Sequence, residues 1–136
     1  MATLRLEITT PDAKAFSDDV DMVVIPGVEG ELGILPMHIP LMTALKPGEL
    51  KITHNGRDSY LAVGSGFVEV SQDSVIVLTD MAMTEEQIDE GAAQAAVERA
   101  QAAIRNQSLT SEEVATVEAS LDKSLAQLHV KRRKHS

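Results

Sequence analysis

The chain has 136 residues, 43% of them hydrophobic, enough to bury one modest core with a small appendage. A net charge of −9 excludes general nucleic-acid binding, although Lys131-Arg132-Arg133-Lys134 forms a local basic run near the C-terminus. No cysteine is present, which excludes disulfide scaffolding, thiolate catalysis and cysteine-ligated zinc; one Tyr and two Phe leave little for stacking on bases or flat cofactors.

The start alternates: Leu4, Leu6 and Ile8 against Arg5, Glu7 and Thr9, which is the strand period. It lacks the charged-then-apolar profile of a signal peptide, and no stretch of about 18 apolar residues follows, so a cytosolic chain is expected. A second β-rich run covers 20–25. Then comes Val-Ile-Pro-Gly-Val-Glu-Gly-Glu-Leu-Gly-Ile-Leu-Pro-Met-His-Ile-Pro-Leu-Met-Thr-Ala-Leu at 24–45, with Gly27, Gly30 and Gly33 between Pro26 and Pro36. Glycine permits conformations that a β-carbon penalises and proline fixes φ, so a shaped, rigid loop is expected, carrying Glu29, Glu31 and His38 toward a partner.

Further strands are expected around Leu50 and Ile52 and over 60–63, 67–70 and 75–78. Turn signals separate them at Pro47-Gly48, Asn55-Gly56, Gly64-Ser65-Gly66 and Gln72-Asp73-Ser74. Asn55-Gly56 is a strong signal for a two-residue hairpin. Many short strands with no helical pattern between them predict an antiparallel β-sandwich or flattened barrel over residues 1–84.

Beyond Thr84 the period becomes helical, giving a second unit over 85–136. Thr84 with Gln87 and Thr110 with Glu113 fit the capping box that opens a helix. The first helix is expected over about 85–105 with Ile88, Ala92, Ala96, Ala100 and Ile104 on one face. The second is expected over about 111–130 with Val114, Val117, Leu121, Leu125 and Leu128 together. The short 106–109 link makes them an antiparallel two-helix hairpin, and the alanine-rich face implies a thin interface that can open.

Little in this pattern supports catalysis. The glycine spacing at 27–33 matches neither nucleotide-binding fingerprint, and Glu29 and Glu31 repel phosphate. Gly64-Ser65-Gly66 lacks the flanks of a nucleophile elbow, so Ser65 is expected to be a turn residue. His38, His54, His129 and His135 are scattered without a metal-ligand spacing, and His54 reads as a hairpin side chain. No enzyme activity, metal or cofactor is expected of the chain alone.

Together the segment 24–50, with Glu-Gly-Glu-Leu-Gly-Ile-Leu-Pro-Met-His-Ile-Pro-Leu at 29–41 as its most specific part, and the runs 66–70 and 75–80 resemble the epsilon subunits of rotary F-type ATP synthases. The likeness spans essentially the whole chain, and that family's β-sandwich followed by a helical hairpin matches the order read above. The resemblance implies a non-catalytic central-stalk subunit. Its sandwich binds the gamma subunit and the c-ring, coupling ion-driven rotation to ATP synthesis, with Glu31 and His38 as interface residues and Glu29, Leu32 and Met37 supporting them. It also implies that the hairpin extends into the alpha/beta catalytic head and inhibits hydrolysis, with Lys131, Arg132, Arg133 and Lys134 as a basic tip. Membrane contact would come only through the complex, at the cytoplasmic face of a bacterial cell membrane. Some family members bind ATP through Ile/Leu-Asp-x-x-Arg-Ala; here Ile88-Asp89-Glu90-Gly91-Ala92-Ala93 keeps Asp89, puts Ala92 in place of the arginine and has Arg99 two turns on. Weak or absent ATP binding is expected. A stand-alone β-sandwich adaptor and a nucleotide-sensing protein are the alternatives.

Overall fold

The computed structural model describes residues 2–106 and 108–133. Ten strands come first: β1 Leu4–Thr9, β2 Lys14–Val20, β3 Met22–Gly27, β4 Gly30–Ile34, β5 Leu41–Leu45, β6 Gly48–His54, β7 Arg57–Val63, β8 Gly66–Val70, β9 Ser74–Thr79 and β10 Ala82–Thr84. A 3-10 turn, Glu85–Gln87, leads to α1 Glu90–Ile104 and α2 Ser111–Lys131.

The alternation in the sequence becomes a two-faced sheet that curls around one core. Leu4, Leu6, Ile8, Leu50, Ile52, Val68, Val70, Val75 and Val77 all point inward and are buried together. Their register is fixed by pairing, with Val68 opposite Val77 and Val70 opposite Val75, because a one-residue slip would turn every one of these side chains outward. The hydrogen-bonded path runs β10-β7-β6-β3-β5-β8-β9-β1-β2, with β4 attached to β3. Among these pairings β1 and β9 run parallel. Seven intervening strands serve as the crossover that a parallel pair requires.

Two parts of the β domain differ from the sequence expectation. The 24–45 segment is mostly sheet: β3 and β4 form a hairpin with Gly27 opposite Gly30, and β5 pairs with β8. Gly30 alone of the three glycines has the left-handed φ, +127°, while a β-carbon on Gly27 would lie 2.9 Å from the Gly30 carbonyl oxygen. Glu-Gly-Glu-Leu-Gly has low intrinsic strand preference, and its strand form is imposed by the partner β3. β2, Lys-Ala-Phe-Ser-Asp-Asp-Val, lies outside the expected strands, since it is an edge strand whose charged residues face solvent.

The first helix begins later than expected. Gln87 Oε1 accepts the Thr84 amide at 2.9 Å, but this closes only the 3-10 turn. Asp89 caps α1 instead, its carboxylate accepting the Ala92 amide at 3.0 Å. The buried residues of α1 are Ala93, Val97 and Ala100, with Ala93 and Val97 packed on Leu128 and Leu121; of the expected row Ile88, Ala92, Ala96, Ala100 and Ile104, Ala100 is buried on the helix whereas Ala92 is exposed. Ile88 precedes the helix and buries itself with Ala62, Ala126 and Val130. In α2 the Thr110 and Glu113 box is complete, each side chain accepting the other's amide at 3.1 Å. Its last turns have two faces: Leu128 meets α1 while Ala126 and Val130 meet the sandwich, and Leu125 is left exposed.

Candidate functional site

The surface that stands out is apolar, and inward packing on the opposite face of the strands explains why. On β5, β8 and β9 the residues between the core positions are Met42, Phe67 and Leu78, exposed by 69%, 60% and 53%. Phe67 pairs with Ala44 on one side and Leu78 on the other, while Met42 lies opposite Glu69, so the three apolar residues share the outward face of three adjacent strands, with the Glu69 carboxylate among them. The run Val75-Ile76-Val77-Leu78 is apolar on both faces of its strand. Such a pattern usually marks a strand covered on both sides. That signal is present in the sequence and marks Leu78 as a surface residue with a partner; Phe67 follows only from its pairing with Leu78.

A second apolar group lies on the loops beside β4. Val28 occupies the β3–β4 turn, and Leu35, Met37 and Ile39 lie between β4 and β5; all four are exposed. Met37 has φ 70°, in the left-handed region that costs a non-glycine residue free energy. Its amide donates to the Gln72 carbonyl at 2.7 Å, which ties this loop to the β8–β9 turn and holds the Met37 side chain in solvent, 70% exposed.

The residues singled out from the sequence fall at different places on this surface. Glu29 lies in the β3–β4 turn and Glu31 on β4, both exposed. Leu32 is half-buried and packs on the core, so it supports the surface from beneath. His38 is half-buried and its Nδ1 is 2.7 Å from the Ile39 carbonyl, which leaves Nε2 as the nitrogen free of that bond. Glu31 also lines a groove of about 600 Å³ between sandwich and α2, with Glu49, His129 and Arg133 on its other walls.

The basic residues are not at the turn of the hairpin. Because α2 runs back antiparallel to α1, Lys131, Arg132 and Arg133 lie at the sandwich end, and each has a partner. Lys131 Nζ donates to the Glu85 carbonyl at 3.0 Å, Arg132 pairs with Glu90 at 2.7 Å and Gln94 at 2.9 Å, and Arg133 forms a two-pronged pair with Glu49. That pairing holds the Arg133 guanidinium above its ordinary pKa. Lys134 and His135 lie outside the described residues. Asp89 and Arg99, the candidates for nucleotide contact, are separated by most of three helical turns, with Asp89 committed to the α1 cap. Ser65 is a turn residue whose carbonyl accepts from the Asp80 amide at 3.1 Å. Among the described residues, no group of three or more histidine or acidic side chains is arranged to hold a metal ion, and no helix is long and apolar enough to cross a membrane.

Known proteins share this architecture. Residues 3–85 match the family described as ATP synthase, Delta/Epsilon chain, beta-sandwich domain, and residues 86–132 match its long alpha-helix domain. An ATP synthase epsilon chain of Dehalococcoides mccartyi is 46% identical over 137 residues, covering 99% of this chain and 98% of the relative. One from Lawsonia intracellularis is 50% identical over 100 residues, covering 74% and 75% of the two chains. Among solved structures, a chain of the Euglena gracilis mitochondrial ATP synthase assembly of OSCP, F1 and c-ring superposes with TM-score 0.78 at 26% identity, over 93% of this chain and 79% of that one. A chain from the Tetrahymena thermophila central stalk and c-ring, at 12% identity, shares the fold with TM-score 0.63, over 94% and 96% of the two chains. With both halves matched in order and full-length relatives at this identity, the chain belongs to the delta/epsilon family of ATP synthase subunits, among its epsilon chains.

Proposed function

We propose that this chain is a non-catalytic rotor subunit that seats its β-sandwich against the gamma subunit and the c-ring and transmits ion-driven rotation toward ATP synthesis. The observation that carries this reading is the exposure of Met42, Phe67 and Leu78 on one outward sheet face, together with the exposed loop residues Leu35, Met37 and Ile39. A face this rich in large exposed apolar side chains is stabilised by burial against another protein. Glu29, Glu31 and His38 then form the polar rim, where charge sets register and encounter rate more than affinity. Met37, held outward by its constrained backbone, is the loop residue best placed for direct contact.

The hairpin is the regulatory part of this proposal, restraining ATP hydrolysis by reaching the alpha/beta head. Lys131 to Arg133 serve it only after leaving the partners they hold in the docked arrangement. The test of the rotor reading is co-assembly. Met42→Asp with Phe67→Asp should leave the strands paired, because both side chains point outward, yet reduce recovery of gamma and c-ring with a tagged chain by tenfold or more, on the order of two buried apolar anchors lost. Undiminished recovery of the whole complex with this double variant would overturn the assignment of that face.

A further inference from the structure

The hairpin rests on the sandwich through a cluster separate from the main core. Ala126 and Val130 supply the apolar contact from α2, meeting Ala62 and Ile88 with Tyr60, Met81 and Met83 packed around them, whereas the helices bury a separate row against each other. Around that contact, among the described residues, polar links run from donors on α2 and just beyond its end to acceptors outside it, and apart from the Gln127 amide on the Met81 sulfur the donors are cationic or ionisable. Lys123 pairs with Asp80 at 2.9 Å, and Lys131 reaches the Glu85 carbonyl at 3.0 Å. Two more cationic or ionisable groups converge on a single carboxylate: Arg133 Nε donates to Glu49 Oε2 at 2.9 Å, its Nη2 engages the other Glu49 oxygen, and His129 Nε2 lies 3.5 Å from Glu49 Oε2.

Glu49 differs from the other acceptors in being enclosed. Its side chain is only 14% exposed, against 45% for Asp80. The Arg133 guanidinium also lies over the Tyr60 ring, 4.0 Å from its centroid, which screens the pair from water on that side. A two-pronged pair between planar groups is specific in direction, and partial burial spares it the screening that weakens exposed pairs. Glu49 is on β6 and Tyr60 on β7, strands of the rigid sheet, while Arg133 follows the last turn of α2. The contact therefore joins the two units at one point.

We propose that Glu49 is a latch: its engagement by Arg133, backed by Tyr60 and approached by His129, decides whether the helical hairpin stays docked on the sandwich or detaches. Ile88 and Asp89, with extended backbone between the 3-10 turn and α1, form the joint at which detachment occurs. Docking occupies Lys131 and Arg133, whose partners lie before the joint, so the latch also controls when those cations become available to another surface; Arg132 pairs within the hairpin, with Glu90 and Gln94 of α1. This goes beyond the brake proposed above and does not require it, since docking is a property of the isolated chain.

The absence of cysteine makes distance labelling direct. Spin labels placed by Asp12→Cys and Glu118→Cys, both exposed positions, report the separation of sandwich and hairpin in the full chain. In low salt the otherwise unaltered chain should show one narrow docked distance. Glu49→Gln should raise the ratio of released to docked molecules about tenfold or more, the scale set by losing a charge-assisted pair, while the amide spectrum of the sandwich stays unchanged. Glu49→Arg should release more fully, and Glu49→Arg combined with Arg133→Glu should return the docked distance. A Glu49→Gln ratio equal to that of the parent chain, or a charge swap no better docked than Glu49→Arg alone, would overturn the latch. The brake is read separately, as ATPase activity of the assembled complex, so either proposal can fail without the other.

Discussion

Asp89 shows how one side chain can satisfy a motif and still serve another purpose. Its carboxylate caps α1 by accepting the Ala92 amide, where the helix dipole favours negative charge. The neighbouring Ala92 carries no cation to hold phosphate, and the lone Arg99 offers a single charge in solvent. Isothermal calorimetry of the full chain with ATP and magnesium is therefore expected to show no saturable binding below the millimolar range; a micromolar dissociation constant would refute this. Other residues were readable at once. Asn55 and Gly56 have φ 52° and 75°, the pair of left-handed residues that an Asn-Gly hairpin turn predicts. Gly66 was not readable as more than a turn signal: only the fold shows that a β-carbon there would lie 1.8 Å from the Leu78 carbonyl oxygen, because the close neighbour is twelve residues away in sequence.

Helix starts illustrate the same contrast among elements. The Thr110 and Glu113 pattern led to a complete box, whereas Thr84 and Gln87 led to a single 3-10 turn before Asp89 capped afresh. Local chemistry marks where a backbone can begin to turn, and packing decides how far it continues. Thr110→Ala should destabilise the start of α2 by about 1 kcal/mol, seen as faster amide exchange in its first turn with little change at Val130. Glu113, held below its ordinary pKa first by the Thr110 amide and then by the Thr110 hydroxyl, adds a pH signature. A carboxylate with a depressed folded pKa contributes stability above its unfolded value and loses it as pH falls through the folded value. First-turn protection should accordingly be constant above about pH 5 and decline below the ordinary glutamate pKa near 4.3, and Glu113→Gln should flatten that decline.

At the level of the whole molecule, two units meet through a small contact, and their separation underlies the regulatory proposal. Truncation after Asp89 removes α1 and α2 while leaving the sandwich core, which is built from residues up to Val77, intact. Assembled complex carrying the truncated chain should hydrolyse ATP several-fold faster than complex with the full chain; equal rates would reject the brake. The apolar band of the sandwich is unaffected by this cut, so assembly should persist. What the amino-acid order determined alone was the alternation that sorts strand residues into inner and outer faces, the Asn-Gly hairpin, the change of period near Thr84, the antiparallel hairpin and the motif at 29–41. These depend on neighbours a few residues apart. Tertiary structure alone decided that the glycine-rich segment becomes β4 and β5, that β1 runs parallel to β9, that Met42, Phe67 and Leu78 share one outward face with Phe67 opposite Leu78, and that Arg133 returns to Glu49, 84 residues away. Each of these depends on pairings between distant parts of the chain, for which no local pattern carries the register, and they emerge only when the sheet closes on its core and α2 folds back over it.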